Sequence, residues 1–206
     1  MEKVLKNCPQ PYLTTDYLLG LFHSYKSPRD KIKKLNQDGD LIHVKQGLYL
    51  LGPDYDRTYS LEVMAGMIYG PSCISFEYAL SYHGLIPEKV QTITCLCFKR
   101  DKNFKTVIGE FNYKYIAKEK YYIGIEYHQT ENGNFFIASK EKAICDMVFK
   151  EKLSNNNETF EYLCKFLRIE EDELLKLDIT LLISIAELYK RKSVDQVIST
   201  LIKNKR

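Results

Sequence analysis

Apolar positions along the chain recur at two spacings, and the changes of spacing mark out its elements. Leu18, Leu19 and Phe22 share one side of a helix predicted over 14–22. Ile32 and Leu35, with Pro28, share one side of a second over 28–37. Ser27 stands at the N-cap position of that second helix. Pro28 suits the first helical position, where its missing N–H would be unpaired anyway, and Asp30 can reach back to the free amides. Asp38, Gly39 and Asp40 end it; residues 41–45 have strand composition, Gln46 and Gly47 make a turn, and 48–51 return. The loop 23–26 is short enough for the two helices to meet at an angle, so the stretch reads as a helix-turn-helix followed by a hairpin wing. Residues 1–8 predict a further short helix completing a three-helix cluster.

Gly52, Pro53 and Asp54 then break the pattern, which places a boundary there: 1–52 as a winged helix-turn-helix DNA-binding domain and 53–206 as a second domain. The second domain opens with a helix over 59–68, with Leu61, Met64, Ala65 and Ile68 on one side. After a turn at Gly70 and Pro71, Ser75 caps a helix that Gly84 closes. Residues 90–98 form a strand apolar on both sides, 99–105 a charged loop, and 106–116 and 122–129 further strands. An Asn-Gly turn at 131–134 leads into a strand at 135–138. Ser139 caps a helix over 140–150, and Ala143, Ile144, Met147 and Val148 would lie against the sheet. A polar break at 154–157 precedes helices over 159–167, 171–177, 179–190 and 194–203, the last with Ser193 as its N-cap. The expected fold class is α+β: an N-terminal winged helix-turn-helix, then a C-terminal domain with a small, mostly antiparallel sheet, packed helices and a helical tail.

Charge changes this picture only locally. The 206 residues carry a formal net charge of +3. Residues 1–52 hold 8 Lys and Arg against 5 Asp and Glu, and elsewhere 22 of each cancel. Any DNA affinity therefore rests on where a few cations stand and on association of two copies. The candidate contacts are Arg29, Lys31, Lys33 and Lys34 on the exposed side of the second helix, Ser27 and Asp30 near its leading end, and Lys45 and Gln46 at the hairpin tip. Lysine in place of arginine favours phosphate contact over paired readout of guanine. Lys203, Lys205 and Arg206 at the end of the last helix suit dipole compensation.

The search for chemistry finds no Gly-rich phosphate loop, no Gly-x-Ser-x-Gly elbow and no metal-ligand spacing. His23, His43, His83 and His128 form no His-x-His or His-x-x-x-His pair, and no Asp-x-Lys or Glu-x-Lys of nuclease type occurs. His83, beside Gly84, reads as a packing or capping residue. Cys8, Cys73, Cys95, Cys97, Cys145 and Cys164 follow no secreted framework and are expected as free thiols, Cys95 and Cys97 within a buried strand. No catalytic residue, cofactor or metal is expected, and the protein is expected not to be an enzyme. With no apolar signal region and no run long enough for a membrane span, it is expected to be soluble and cytoplasmic, with no membrane partner.

Three stretches carry a resemblance: GLYLLGP at 47–53, YGPSCISFEYALSYHGLIPEKVQTITC at 69–95 and FIASKEKAICDMVF at 136–149. Together they resemble the AbiEi antitoxin family of abortive-infection toxin–antitoxin systems. The matching positions are Gly47 and Tyr49; Ile74, Ser75, Ala79, Leu80, His83, Gly84 and Leu85; and Glu141, Lys142, Ala143, Ile144 and Asp146. The resemblance implies a bacterial phage-defence antitoxin that represses its own operon by binding double-stranded operator DNA through the winged helix. It also implies neutralisation of a cognate nucleotidyltransferase-like toxin through the C-terminal domain, without need of a stable complex. An operator with inverted repeats would demand two copies, as a homodimer or by cooperative binding of monomers. The alternative is a winged-helix transcriptional regulator whose second domain senses a ligand or mediates oligomerisation, with no toxin partner.

Overall fold

The computed structural model describes residues 2–204. Met1, Lys205 and Arg206 lie outside it, and with them part of the first expected helix and of the basic tail. The chain begins with α1 (Lys3–Lys6), β1 (Tyr12–Thr14), α2 (Thr15–Leu21), α3 (Pro28–Gln37), β2 (Leu41–Lys45) and β3 (Leu48–Leu51). Thr14 caps α2 by accepting the Tyr17 N–H at 3.2 Å. Ser27, expected to cap α3 in the same way, instead donates its hydroxyl to Asp30 Oδ2 at 2.5 Å. The Ser27 side chain caps no α3 amide, and its contact is with Asp30 instead. Gly47, at φ +85°, supplies the left-handed residue of the β2–β3 turn. The strand β1, three residues that no alternation could announce, adds to the hairpin and makes an antiparallel sheet in the order β1-β3-β2. Leu5, Leu13, Leu18, Phe22, Ile32, Leu35, Leu41 and Leu51 bury together beneath it.

After a 3₁₀ turn at Pro53–Tyr55 come α4 (Leu61–Ile68), β4 (Ser72–Ile74), α5 (Phe76–Tyr82), β5 (Ile93–Cys97), β6 (Lys102–Thr106), β7 (Gly109–Tyr115) and α6 (Lys118–Tyr121). The β8 (Ile125–Thr130) and β9 (Gly133–Ala138) hairpin follows, then α7 (Lys140–Phe149), α8 (Asn156–Glu161) running into a π turn at Tyr162–Phe166, α9 (Glu171–Leu175), α10 (Ile179–Tyr189) and α11 (Lys192–Asn204). The architecture is mixed α and β, with a six-stranded sheet in the order β6-β7-β5-β4-β9-β8. The sheet is mostly antiparallel, as expected, since β4–β5, β6–β7 and β8–β9 run antiparallel, but β5–β7 and β4–β9 run parallel and make it mixed. The supposed charged loop at 99–105 is in large part β6, an edge strand whose lysines face solvent. Ser193 lies inside α11 with its hydroxyl buried and unpartnered among the described residues, so it is not an N-cap.

Helix α4 packs on β4, β5 and β9, and the buried Tyr113 hydroxyl donates to the Ala65 carbonyl at 2.7 Å. Helix α7 packs on α5, α10 and β9. Between these helices lies a buried polar network. Ser75, also expected as a cap, donates instead to Asp146 Oδ2 at 2.6 Å, and Tyr189 donates to Asp146 Oδ1. Lys142 Nζ donates to the Tyr189 hydroxyl at 2.7 Å and stands 3.5 Å from Asp146 Oδ1. Burial pushes the Asp146 carboxyl up, against the pull of Lys142 and the hydrogen bonds from Ser75 and Tyr189. All six cysteines are free, and all but Cys164 are buried. No described helix is long and apolar enough to cross a membrane.

The small sheet is fastened to the rest. Tyr12 donates to the Asn132 carbonyl at 2.7 Å and accepts the Ser60 N–H at 2.8 Å, at the start of α4. At the other end of α4, Lys45 donates to the Ile68 carbonyl. Tyr12, Val44, Leu48 and Leu50 are buried in the same cluster as the side chains of the six-stranded sheet.

Candidate nucleic-acid interface

On α3, Arg29, Lys33 and Asn36 follow one another at helical spacing, so they form one stripe along its side. The stripe faces the β2–β3 hairpin across a shallow groove of about 580 Å³, whose other lining residues include Thr15, Ile32, His43, Gln46, Gly47 and Tyr49. Asn36 Oδ1 accepts the His43 N–H at 2.9 Å and so ties the last turn of α3 to β2. His43 and Tyr49 sit opposite each other in the β2–β3 register, their rings 5.1 Å apart. Among the described residues no carboxylate lines the groove, and Arg29, Lys33 and Gln46 are exposed in it.

The structure divides the candidate residues. Arg29, Lys33 and Gln46 come together in the groove. Lys34 is exposed on the same helix, outside that lining, and Ser27 and Asp30 are engaged with each other at the leading end. Lys31 is not a free donor: it pairs with Glu2 Oε2 at 2.5 Å and stands over the Tyr25 ring at 5.1 Å. The hydrogen bond from Lys31 to Glu2 raises the lysine pKa. Lys45 is not at an open tip either. It turns back to Ile68, and burial followed by repulsion from Lys99 lowers its pKa. Both corrections have one cause, a partner far away in sequence. The groove is also lined by Thr15, Asn36, His43 and Tyr49, which are not among the residues expected from the sequence. Asn36 could have been found from its spacing to Arg29 and Lys33, whereas His43 and Tyr49 needed the hairpin register.

Two exposed cations flanked by amide, hydroxyl, imidazole and phenol groups suit a polyanion whose backbone is held by charge and whose edges are met by hydrogen bonds. A scan against protein-family models finds no match to the chain, and a search of curated proteins finds none.

Proposed function

We propose that the protein is a DNA-binding antitoxin and autorepressor. In this reading α2, α3 and the β2–β3 hairpin are a winged helix-turn-helix, and the rest of the chain neutralises a nucleotidyltransferase-like toxin. The observation that carries the DNA part is the carboxylate-free groove holding Arg29, Lys33 and Gln46 between α3 and the hairpin. The toxin part rests on the resemblance to AbiEi antitoxins. In keeping with motifs of a fold rather than of a reaction, Ser75 and Asp146 from two of the resembling stretches meet at 2.6 Å, and His83 Nε2 bonds the Ala138 carbonyl at 2.8 Å.

The DNA test is anisotropy on a duplex from upstream of the gene, titrated at several salt concentrations. Arg29→Ala and Lys33→Ala should each weaken binding and flatten the log–log salt slope by about one unit for each phosphate that is no longer neutralised. Lys45→Ala should leave the slope alone. An unchanged slope in the Arg29 and Lys33 double variant would remove α3 from the contact surface. For the toxin part, the neighbouring gene is induced with and without the full chain. Growth arrest relieved by the wild type and by the groove double variant supports antitoxicity carried outside the groove, and a harmless neighbour sinks it. The second reading, a regulator with a ligand-sensing second domain and no toxin, is favoured by an apolar cleft of about 410 Å³ beside α4.

A further inference from the structure

The cleft beside α4 has an unusual lining. It is lined by Val63, Gly66 and Met67 of α4, by Tyr121, Tyr122 and Ile125, and by Phe135 and Phe136 of β9, of which pair Phe136 is the exposed one. Its volume of about 410 Å³ is in the range of sites for drug-sized molecules. Tyr122 and Phe136 are 59% and 50% exposed, so the aromatic surface is open to an incoming ligand. Among the described residues lining the cleft, Glu62 alone carries a charge. Its Oε1 accepts from the Tyr78 hydroxyl at 2.6 Å and its Oε2 from the Ser60 hydroxyl at 2.5 Å. Burial pushes the Glu62 carboxyl up, but these hydrogen bonds outweigh it and hold the pKa below the usual glutamate value. The residue is thus an anion, and among the described residues no cation pairs with it.

A half-buried carboxylate without a counter-cation is electrostatically incomplete, and a carboxylate has lone pairs beyond the two used here. Aromatic faces beside it attract positive charge through their quadrupoles, and do so more strongly where water is displaced. We infer that the cleft between α4 and the β8–β9 hairpin binds a small amphipathic organic cation, its apolar body against Met67, Tyr122 and Phe136 and its ammonium group toward Glu62. A neutral apolar ligand would leave the carboxylate unpaired, and an anion would be repelled by it. The site stands on the cleft alone and needs neither DNA nor a toxin.

Gly66 gives a clean way to close the cleft. A Cβ there would meet nothing within 4 Å, so the backbone accepts a side chain, and Gly66→Leu places one at the cleft lining and also favours the helix. The probe is benzyltrimethylammonium, with benzyl alcohol as the neutral and phenylacetate as the anionic comparison, titrated into the full chain and followed by saturation-transfer NMR. The cation should bind the wild type, at least tenfold more weakly Glu62→Gln, and not at all Gly66→Leu, while benzyl alcohol should not distinguish wild type from Glu62→Gln. Melting curves confirm that each variant is folded. Equal binding of the cation to wild type and Gly66→Leu would put the ligand elsewhere. Equal affinity for cation and alcohol, or no loss in Glu62→Gln, would overturn the assignment of a cation. Because no DNA is present, either failure leaves the proposed operator contacts standing.

Discussion

Single side chains matter most in this protein where charge is buried. Asp146 and Lys142 are 2% and 0% exposed, and each is satisfied by groups from other helices: Ser75, Tyr189 and the Lys120 carbonyl. Asp146→Ala leaves the lysine ammonium in the core without its counter-charge. Removing one partner of a buried pair costs about 3–5 kcal/mol, so urea unfolding should show a loss of that size. Replacing both, as Lys142→Met with Asp146→Leu, should recover most of it. Glu62 gives a loss that depends on pH. Its folded pKa lies below its unfolded one, so its contribution is complete above the unfolded value near 4.5 and fades as pH falls through the folded value. Thermal midpoints from about pH 7 to about pH 3 should therefore show wild type above Glu62→Gln at neutrality, with the gap closing in acid. A gap that is constant with pH would mean that the carboxylate charge is not what stabilises.

Among the elements, those set by local pattern were legible in the sequence: α3 with Pro28 at its first position, the β2–β3 hairpin with its Gly47 turn, the β8–β9 hairpin around Asn132 and Gly133, and α7 with Ser139 accepting the Lys142 N–H at 3.2 Å. Strands β1 and β4 were not, since three residues carry no period and each is strand only because a neighbour completes it. Strand β6 was hidden by its lysines, which suit a sheet edge and read locally as loop. The parallel pairings of β5 with β7 and β4 with β9 join strands that are not consecutive, so no local signal announces them. The candidate interface divides the same way: Arg29 and Lys33 follow from helical spacing, while the capture of Lys31 by Glu2 and of Lys45 by Ile68 needed the fold. Gly52 shows how tightly the end of β3 is held. Its N–H donates to the Asp40 carbonyl at 2.8 Å, and a Cβ there would lie 1.9 Å from the Gly39 carbonyl oxygen. Gly52→Ala should destabilise by about 1–3 kcal/mol, the range for overpacking, whereas Gly20→Ala, at a position with open space inside α2, should not. Equal denaturation midpoints for the two would contradict the close approach at Gly52.

For the molecule as a whole, the N-terminal sheet and the larger sheet share buried side chains, with Tyr12, Val44, Leu48 and Leu50 on one side and Val63, Ile74 and Ile137 on the other. Cutting the chain near Pro53 would therefore strip covering from what remains, which is why the tests of function above use full-length variants. Tyr12 holds one end of α4 and Lys45 the other. A segment pinned at two points has no hinge between them, so the N-terminal sheet with its helices and the bulk of the protein turn together. If α3 sits in a major groove, as proposed, the compass bearing of the bulk around the duplex is fixed as well. Two copies on half-sites a full helical turn apart would then face the same way, and inserting about half a turn, roughly five base pairs, would set them on opposite sides of the DNA. Cooperation between copies on an operator would thus be a matter of phase as well as of distance.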